Sequence, residues 1–174
     1  MLQNYTTYRV LRLFFDQPTK GFQLREITRM LKLGMPSVKL HTDRLEKEEF
    51  VKREKKGTYA SYKASGNEKF MLYKKTDMLL RLHESGLVEF LADEMSPNAI
   101  VLFGSASRGE DIERSDIDLL VIAKEKDIDL ERFEKRLKRR INILFEPNLK
   151  NMPKELLNNI LNGVVIHGYL EVFP

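Results

Sequence analysis

Two acids two residues apart, Asp116 and Asp118, lead into an apolar run, Leu119 to Ala123, while a Gly-Ser pair, Gly104-Ser105, closes an earlier run, Ala99 to Phe103. Residues i and i+2 of a strand point to the same face, so both carboxylates aim at one point. Acids placed this way repel each other. A divalent cation removes that repulsion, and hard oxygen ligands suit Mg²⁺. On the other side of the motif, Gly104 permits close approach of backbone to a ligand. Backbone N–H groups after such a turn, with the Ser105 hydroxyl, suit phosphate oxygens. Arg108 is a candidate phosphate partner, and Gly109 allows the chain a sharp exit. The chemistry these residues point to is the holding of a phosphate chain against a metal.

Such a motif needs strands to carry it. Ala99–Phe103 and Ile117–Ala123 are short, apolar and β-prone, and Arg140–Glu146 supplies a third candidate strand. A helix is predicted over Asp129–Arg140, with Leu130, Phe133 and Leu137 inward. Another opens at Pro153 and ends at Gly163, and a terminal strand is predicted over Val164–Phe173. Glu110, Asp111, Glu113 and Arg114 read as a solvated loop, or as one that covers a bound nucleotide. The cations Lys135, Arg136, Lys138, Arg139 and Arg140 read as a solvated helix end, or as a patch steering a polyanionic acceptor.

The net charge of +4 conceals an asymmetry. Residues 1–64 hold 14 Lys and Arg against 7 Asp and Glu, a balance of +7; residues 65–174 hold 16 against 19, a balance of −3. A basic N-terminal third suggests a partner of its own, with nucleic acid the natural candidate. Its elements have a legible order. Tyr8, Leu11 and Phe15 predict a helix over 5–15, and Leu24, Ile27 and Leu31 a second over Leu24–Leu31. Pro36 suits the opening of a third, running to about Lys47 with Val38, Thr42 and Leu45 inward. A basic hairpin turning at Gly57 follows. The absence of Cys excludes disulfides and thiolate metal sites. No apolar run reaches the roughly 20 residues of a membrane span and no signal peptide is read, so the expected location is the cytoplasm, with no membrane partner.

The stretch from Leu24 to Glu54, LREITRMLKLGMPSVKLHTDRLEKEEFVKRE, resembles the small winged helix-turn-helix repressor domains of prokaryotes. That resemblance implies a DNA-binding domain over 1–64. Ser37, Lys39 and Arg44 would face the major groove, with Lys52, Arg53, Lys55 and Lys56 on the phosphate backbone. The alternatives are a solvated charge face or a protein-binding module. Residues 65–96 read as a helical connector, interrupted at Ser85-Gly86. Its apolar surplus packs within the chain or forms a homodimer seam; both remain open.

From about residue 97 to the end, the chain resembles the minimal nucleotidyltransferases of the polymerase-β superfamily. The resemblance rests on Gly104, Ser105, Arg108, Gly109, Ser115, Asp116, Asp118 and the run Leu119-Leu120-Val121. It implies an α+β protein overall: winged helix-turn-helix, helical connector, and a C-terminal mixed sheet with flanking helices over 97–174. It also implies nucleotide or phosphate binding at Gly104, Ser105, Arg108, Gly109 and Ser115. Asp116 and Asp118 would be metal ligands and catalytic residues, with Mg²⁺ as cofactor and ATP or another NTP as substrate or ligand. The family places a third carboxylate on the next strand, where this sequence has Asn142. An amide takes no proton at physiological pH. Glu146 lies about 13 Å further along at strand rise, too far to substitute. Two readings therefore stand: transfer of NMP from an NTP to an unidentified acceptor, or a nucleotide-sensing transcriptional regulator with a weak or silent site. A toxin protein as partner is a third expectation, resting on family analogy alone.

Overall fold

The computed structural model describes residues 5–56, 59–150 and 152–171. It divides into two compact units that part between Met71 and Leu72.

The N-terminal unit contains α1 (Thr6–Asp16), α2 (Leu24–Leu31) and α3 (Met35–Lys47), followed by the strands β1 (Val51–Lys56) and β2 (Tyr59–Ala64). Val10, Leu11, Phe14 and Phe15 form the buried stripe of α1. Val38, Thr42 and Leu45 form that of α3, as the sequence predicts. Pro36 lies in the first turn of α3, where its missing N–H leaves no helical bond unmade. β1 and β2 pair antiparallel from Val51↔Ala64 to Lys56↔Tyr59, and Phe22 bridges to Tyr62. Phe14 meets Phe22 edge-on at 5.4 Å, and Phe15 meets Phe70 at 5.2 Å. The predicted Gly57 turn and the Lys56 side chain lie outside the described residues.

Residues 65–96 do not stand apart as a connector. They form α4 (Glu68–Glu84) and α5 (Leu87–Met95), separated by Gly86 at a φ of 78°. Phe70 joins the N-terminal core. Met78, Leu82, Leu87, Val88 and Leu91 join that of the C-terminal unit. The apolar surplus read in this stretch is thus consumed largely as core.

The C-terminal unit is built on a four-stranded sheet of order β5-β4-β3-β6. Its strands are β3 (Ala99–Phe103), β4 (Ile117–Val121), β5 (Ile141–Phe145) and β6 (Val164–Gly168). β4 and β5 run parallel, and the other pairs are antiparallel. All five residues of β3 are buried, because helices cover both faces. Ile100 and Leu102, with Ile117, Leu119 and Val121, pack with α5 and α7 (Glu131–Leu137). Ala99, Val101, Phe103 and Leu120 pack on the opposite face with α8 (Lys154–Leu161). A short helix, α6 (Gly104–Arg108), begins directly at the end of β3.

Three expectations need correction. The helix predicted to reach Arg140 stops at Leu137, because Lys138 takes a left-handed φ of 56° and turns the chain into β5. The terminal strand ends at Gly168, whose φ is 64° and whose α-carbon faces the Asn98 carbonyl too closely for any side chain. Asp111, expected in a solvated loop, is 1% exposed. Ion pairs with Lys74 and Arg139 replace its lost hydration.

Candidate active site

Alternation along the strands decides what faces the site. Ile117 is buried among the α5 and α7 side chains, so Asp118 points toward the α8 face. Asp116, one residue before β4, has the same parity and is exposed. In the antiparallel pairing Phe103 lies opposite Asp118, which brings the Gly104 turn beside the acid. Gly104 has a φ of 70°, and a Cβ built there would stand 2.5 Å from Asp118 Oδ2. The left-handed backbone strains any side chain at this position, and a Cβ would also oblige the Asp118 carboxylate to move.

On the other flank, parallel pairing sets Asn142 of β5 opposite Asp118. Its Nδ2 donates to Asp118 Oδ1 at 3.2 Å. The sequence expectation that Asn142 occupies the third acidic corner thus has a direct geometric counterpart: the amide is a neighbour of Asp118. Among the described residues, no group of three or more His, Cys, Asp or Glu gathers to hold a metal. The acids left at this strand end are Asp116, exposed, and Asp118, beside the glycine.

The other expected site residues fall close by, with partners of their own. Ser105 is the second residue of α6 and is half-buried. Arg108 Nε donates to Glu110 Oε2 at 2.7 Å, and its Nη1 donates to Asn159 Oδ1 of α8 at 3.2 Å. Gly109 ends α6 at a φ of 75°. Ser115 Oγ accepts from the Ile112 N–H at 2.9 Å, closing the 112–115 loop. The cation cluster after α7 is partly committed to structure. Arg136 donates to the Ser85 carbonyl at 3.1 Å, and Arg139 to the Ser115 carbonyl at 3.0 Å. A separate cavity of about 290 Å³ opens at the far end of the sheet beside Asn98, Ile122 and Pro147; it holds none of the motif residues.

Asn159 and Lys74 were not singled out from sequence, and Asp111 and Arg139 were read there only as members of a loop and of a cation cluster, not as partners of each other. A signal existed for Lys74 alone. Phe70, Lys74, Met78 and Leu82 recur every four residues, so Lys74 falls on an apolar stripe where a charge needs a buried counterion. The others meet through loops, where spacing carries no such signal.

A glycine turn at the end of one strand thus lies beside an acid at the start of the next. Residues 86–169 match the sequence model of the family described as "Polymerase beta, Nucleotidyltransferase". The match begins at Gly86, so it takes in α5, which sequence reading had assigned to the connector. No curated protein and no solved structure matches the chain.

The N-terminal candidates occupy a different setting. On α3, Ser37 is half-buried, and Lys39 and Arg44 are exposed. Each cation has an acid one turn on: Lys39 Nζ to Asp43 Oδ2 at 2.5 Å, and Arg44 Nε to Glu48 Oε1 at 3.1 Å. His41 is tied to α1 through Thr7 Oγ1 at 2.8 Å. Lys52, Arg53 and Lys55 are exposed along β1. Burial holds the Tyr62 phenol above its ordinary value; the nearby Arg53 opposes this shift and Asp43 adds to it. Among the described residues, no helix is long and apolar enough to cross a membrane.

Proposed function

We propose that the C-terminal unit transfers a nucleoside monophosphate from an NTP to an acceptor hydroxyl or amine, releasing pyrophosphate. The observation that carries this reading is the contact of Gly104 with Asp118, which sets a turn without side chains beside a metal-competent acid. In this reading Gly104 and Ser105 hold the triphosphate. Arg108 exchanges Glu110 for a phosphate oxygen, and Asp116 and Asp118 hold Mg²⁺. A bound divalent cation would neutralise charge on the triphosphate and its leaving group. The chain's own residues then orient the α-phosphorus for in-line attack; the acceptor oxygen or nitrogen bonds to phosphorus as the bond to the β-phosphate oxygen breaks.

A second reading is favoured by one specific observation, the amide of Asn142 bonded to Asp118. Without a third carboxylate, the acceptor lacks a local base and a second metal lacks an anionic ligand. The domain then binds nucleotide and regulates, and turnover is slow or nil. Pyrophosphate release with Mg²⁺ and each of the four NTPs separates the two readings. An enzyme releases it with its acceptor present, and Asn142→Asp raises a weak rate. A sensor releases none with either side chain, yet its DNA retardation depends on nucleotide.

The N-terminal unit is proposed to be a winged helix-turn-helix that binds DNA through α3 and the β1–β2 ribbon. The order of three helices and a basic ribbon supports this, as does the +7 balance over residues 1–64. A homodimer on repeated half-sites and a toxin partner belong to the same reading; the ratio of chain to DNA in a retarded complex tests the former.

A further inference from the structure

Asp116 stands outside β4 on an exposed loop, a poor place for a ligand that must be held to within a fraction of an ångström. Yet its backbone is fixed on both sides. The carbonyl before it, that of Ser115, accepts from Arg139 Nη1 at 3.0 Å. The amide after it, that of Ile117, donates to the Arg140 carbonyl at 2.9 Å. Consecutive residues at the head of β5 therefore grip the peptides flanking Asp116. The Arg139 grip is itself anchored. Arg139 Nη2 lies 2.9 Å from Asp111 Oδ2, and Lys74 Nζ lies 2.9 Å from Asp111 Oδ1 and also meets the Asp111 carbonyl. The side chains of Lys74, Asp111 and Arg139 are 4, 1 and 6% exposed. Burial pulls the Lys74 ammonium below its ordinary value, and Asp111 resists that shift. Arg139 is suited to the task because its rigid planar fork sends Nη1 to the Ser115 carbonyl and Nη2 to the Asp111 carboxylate, two acceptors at opposite ends of the loop.

We infer that Arg139, anchored on Asp111 and Lys74, is a positioning residue that presents Asp116 to the metal by clamping both ends of the loop from Asp111 to Ser115. This rests on the proposed metal role of Asp116. The three side chains touch no substrate; they act through the backbone.

The test uses the full chain with Arg139→Lys and Arg139→Gln, each measured at a temperature where circular dichroism shows it folded. Two readouts are taken: hydrogen exchange of peptides covering residues 109–118 without metal or nucleotide, and Mn²⁺ affinity by paramagnetic resonance with and without ATP. Supporting ligands of metal sites typically change affinity 10- to 100-fold when lost. Both variants are therefore expected to exchange faster in 109–118 and to bind Mn²⁺ about tenfold more weakly. A merely structural role would lower the melting temperature and leave the Mn²⁺ affinity of the folded protein unchanged, and that result overturns the proposal. Unchanged exchange in 109–118 overturns it as well. If the wild-type chain binds no Mn²⁺ under any condition, the metal reading of the site fails. Faster exchange would then still uphold the clamp on the Asp116 backbone.

Discussion

In the N-terminal unit, Arg44 faces Glu48 at 3.1 Å with side chains 66 and 44% exposed. In the C-terminal unit, Asp111 lies 2.9 Å from both Lys74 and Arg139 with almost no exposure. The distances are similar and the physics is not. Exposed ion pairs contribute roughly 0–1 kcal/mol, so the α3 cations remain available to exchange an intramolecular acid for an outside phosphate. Removing one partner from a buried pair typically costs about 3–5 kcal/mol, because the other charge is left unpaired. One unit leaves its charges at the surface, and the other uses charge to fix a loop.

The comparison can be broken most directly at Asp111. Asp111→Ala should lower the unfolding free energy of the C-terminal unit by about 3–5 kcal/mol, while Glu48→Ala changes that of the N-terminal unit by less than about 1 kcal/mol; denaturant unfolding followed by hydrogen exchange in each unit measures both. Equal effects would erase the distinction. Gly104→Ala comes next. A left-handed φ and a Cβ pressed on Asp118 should destabilise by roughly 1–3 kcal/mol, and calorimetry should find Mg²⁺-dependent NTP binding lost. On the basic ribbon, replacing Lys52, Arg53 or Lys55 by Ala should leave folding intact. Each lost phosphate contact should reduce the slope of log affinity for DNA against log salt by about 1. Variants with an unchanged slope would remove that residue from the interface.

The smallest expected effect concerns pH. The folded state keeps the Tyr62 phenol protonated above the value of an exposed tyrosine. Above about pH 10 the unfolded chain loses that proton first, so the native state loses stability as pH rises toward the folded value. Tyr62→Phe should flatten this alkaline decline in the N-terminal unit, read as melting temperature against pH.

The parts legible in sequence were those with a short period or short spacing. Val38, Thr42 and Leu45 announce the buried face of α3, and the fully apolar β3 announces a strand covered on both sides. The Gly104 and Asp118 partnership was legible because one antiparallel pairing brings them together. Asn142 was found through the family resemblance, which places a third carboxylate on the next strand, and the uninterrupted register of β5 with β4 sets it beside Asp118. What escaped depended on contacts across long separations. Asp111 looks identical in sequence to its solvated neighbours Glu110 and Glu113; only the arrival of Lys74 and Arg139 buries it. Asn159 reaches Arg108 from 51 positions away. The true ends of α7 and β6 were set by left-handed residues at 138 and 168, and Lys138 gives no cue that it adopts that conformation.

The glycine turn and both acids lie on one contiguous stretch from Ala99 to Val121, folded back on itself as β3 and β4. Contacts of short sequence separation form early because little loop entropy is lost in making them. Gly104 and Asp118 therefore come together through one short loop closure, and β5 adds to β4 from the other side as an edge strand of the sheet. A change at residue 142 thus leaves the β3–β4 pairing that carries the cradle in place.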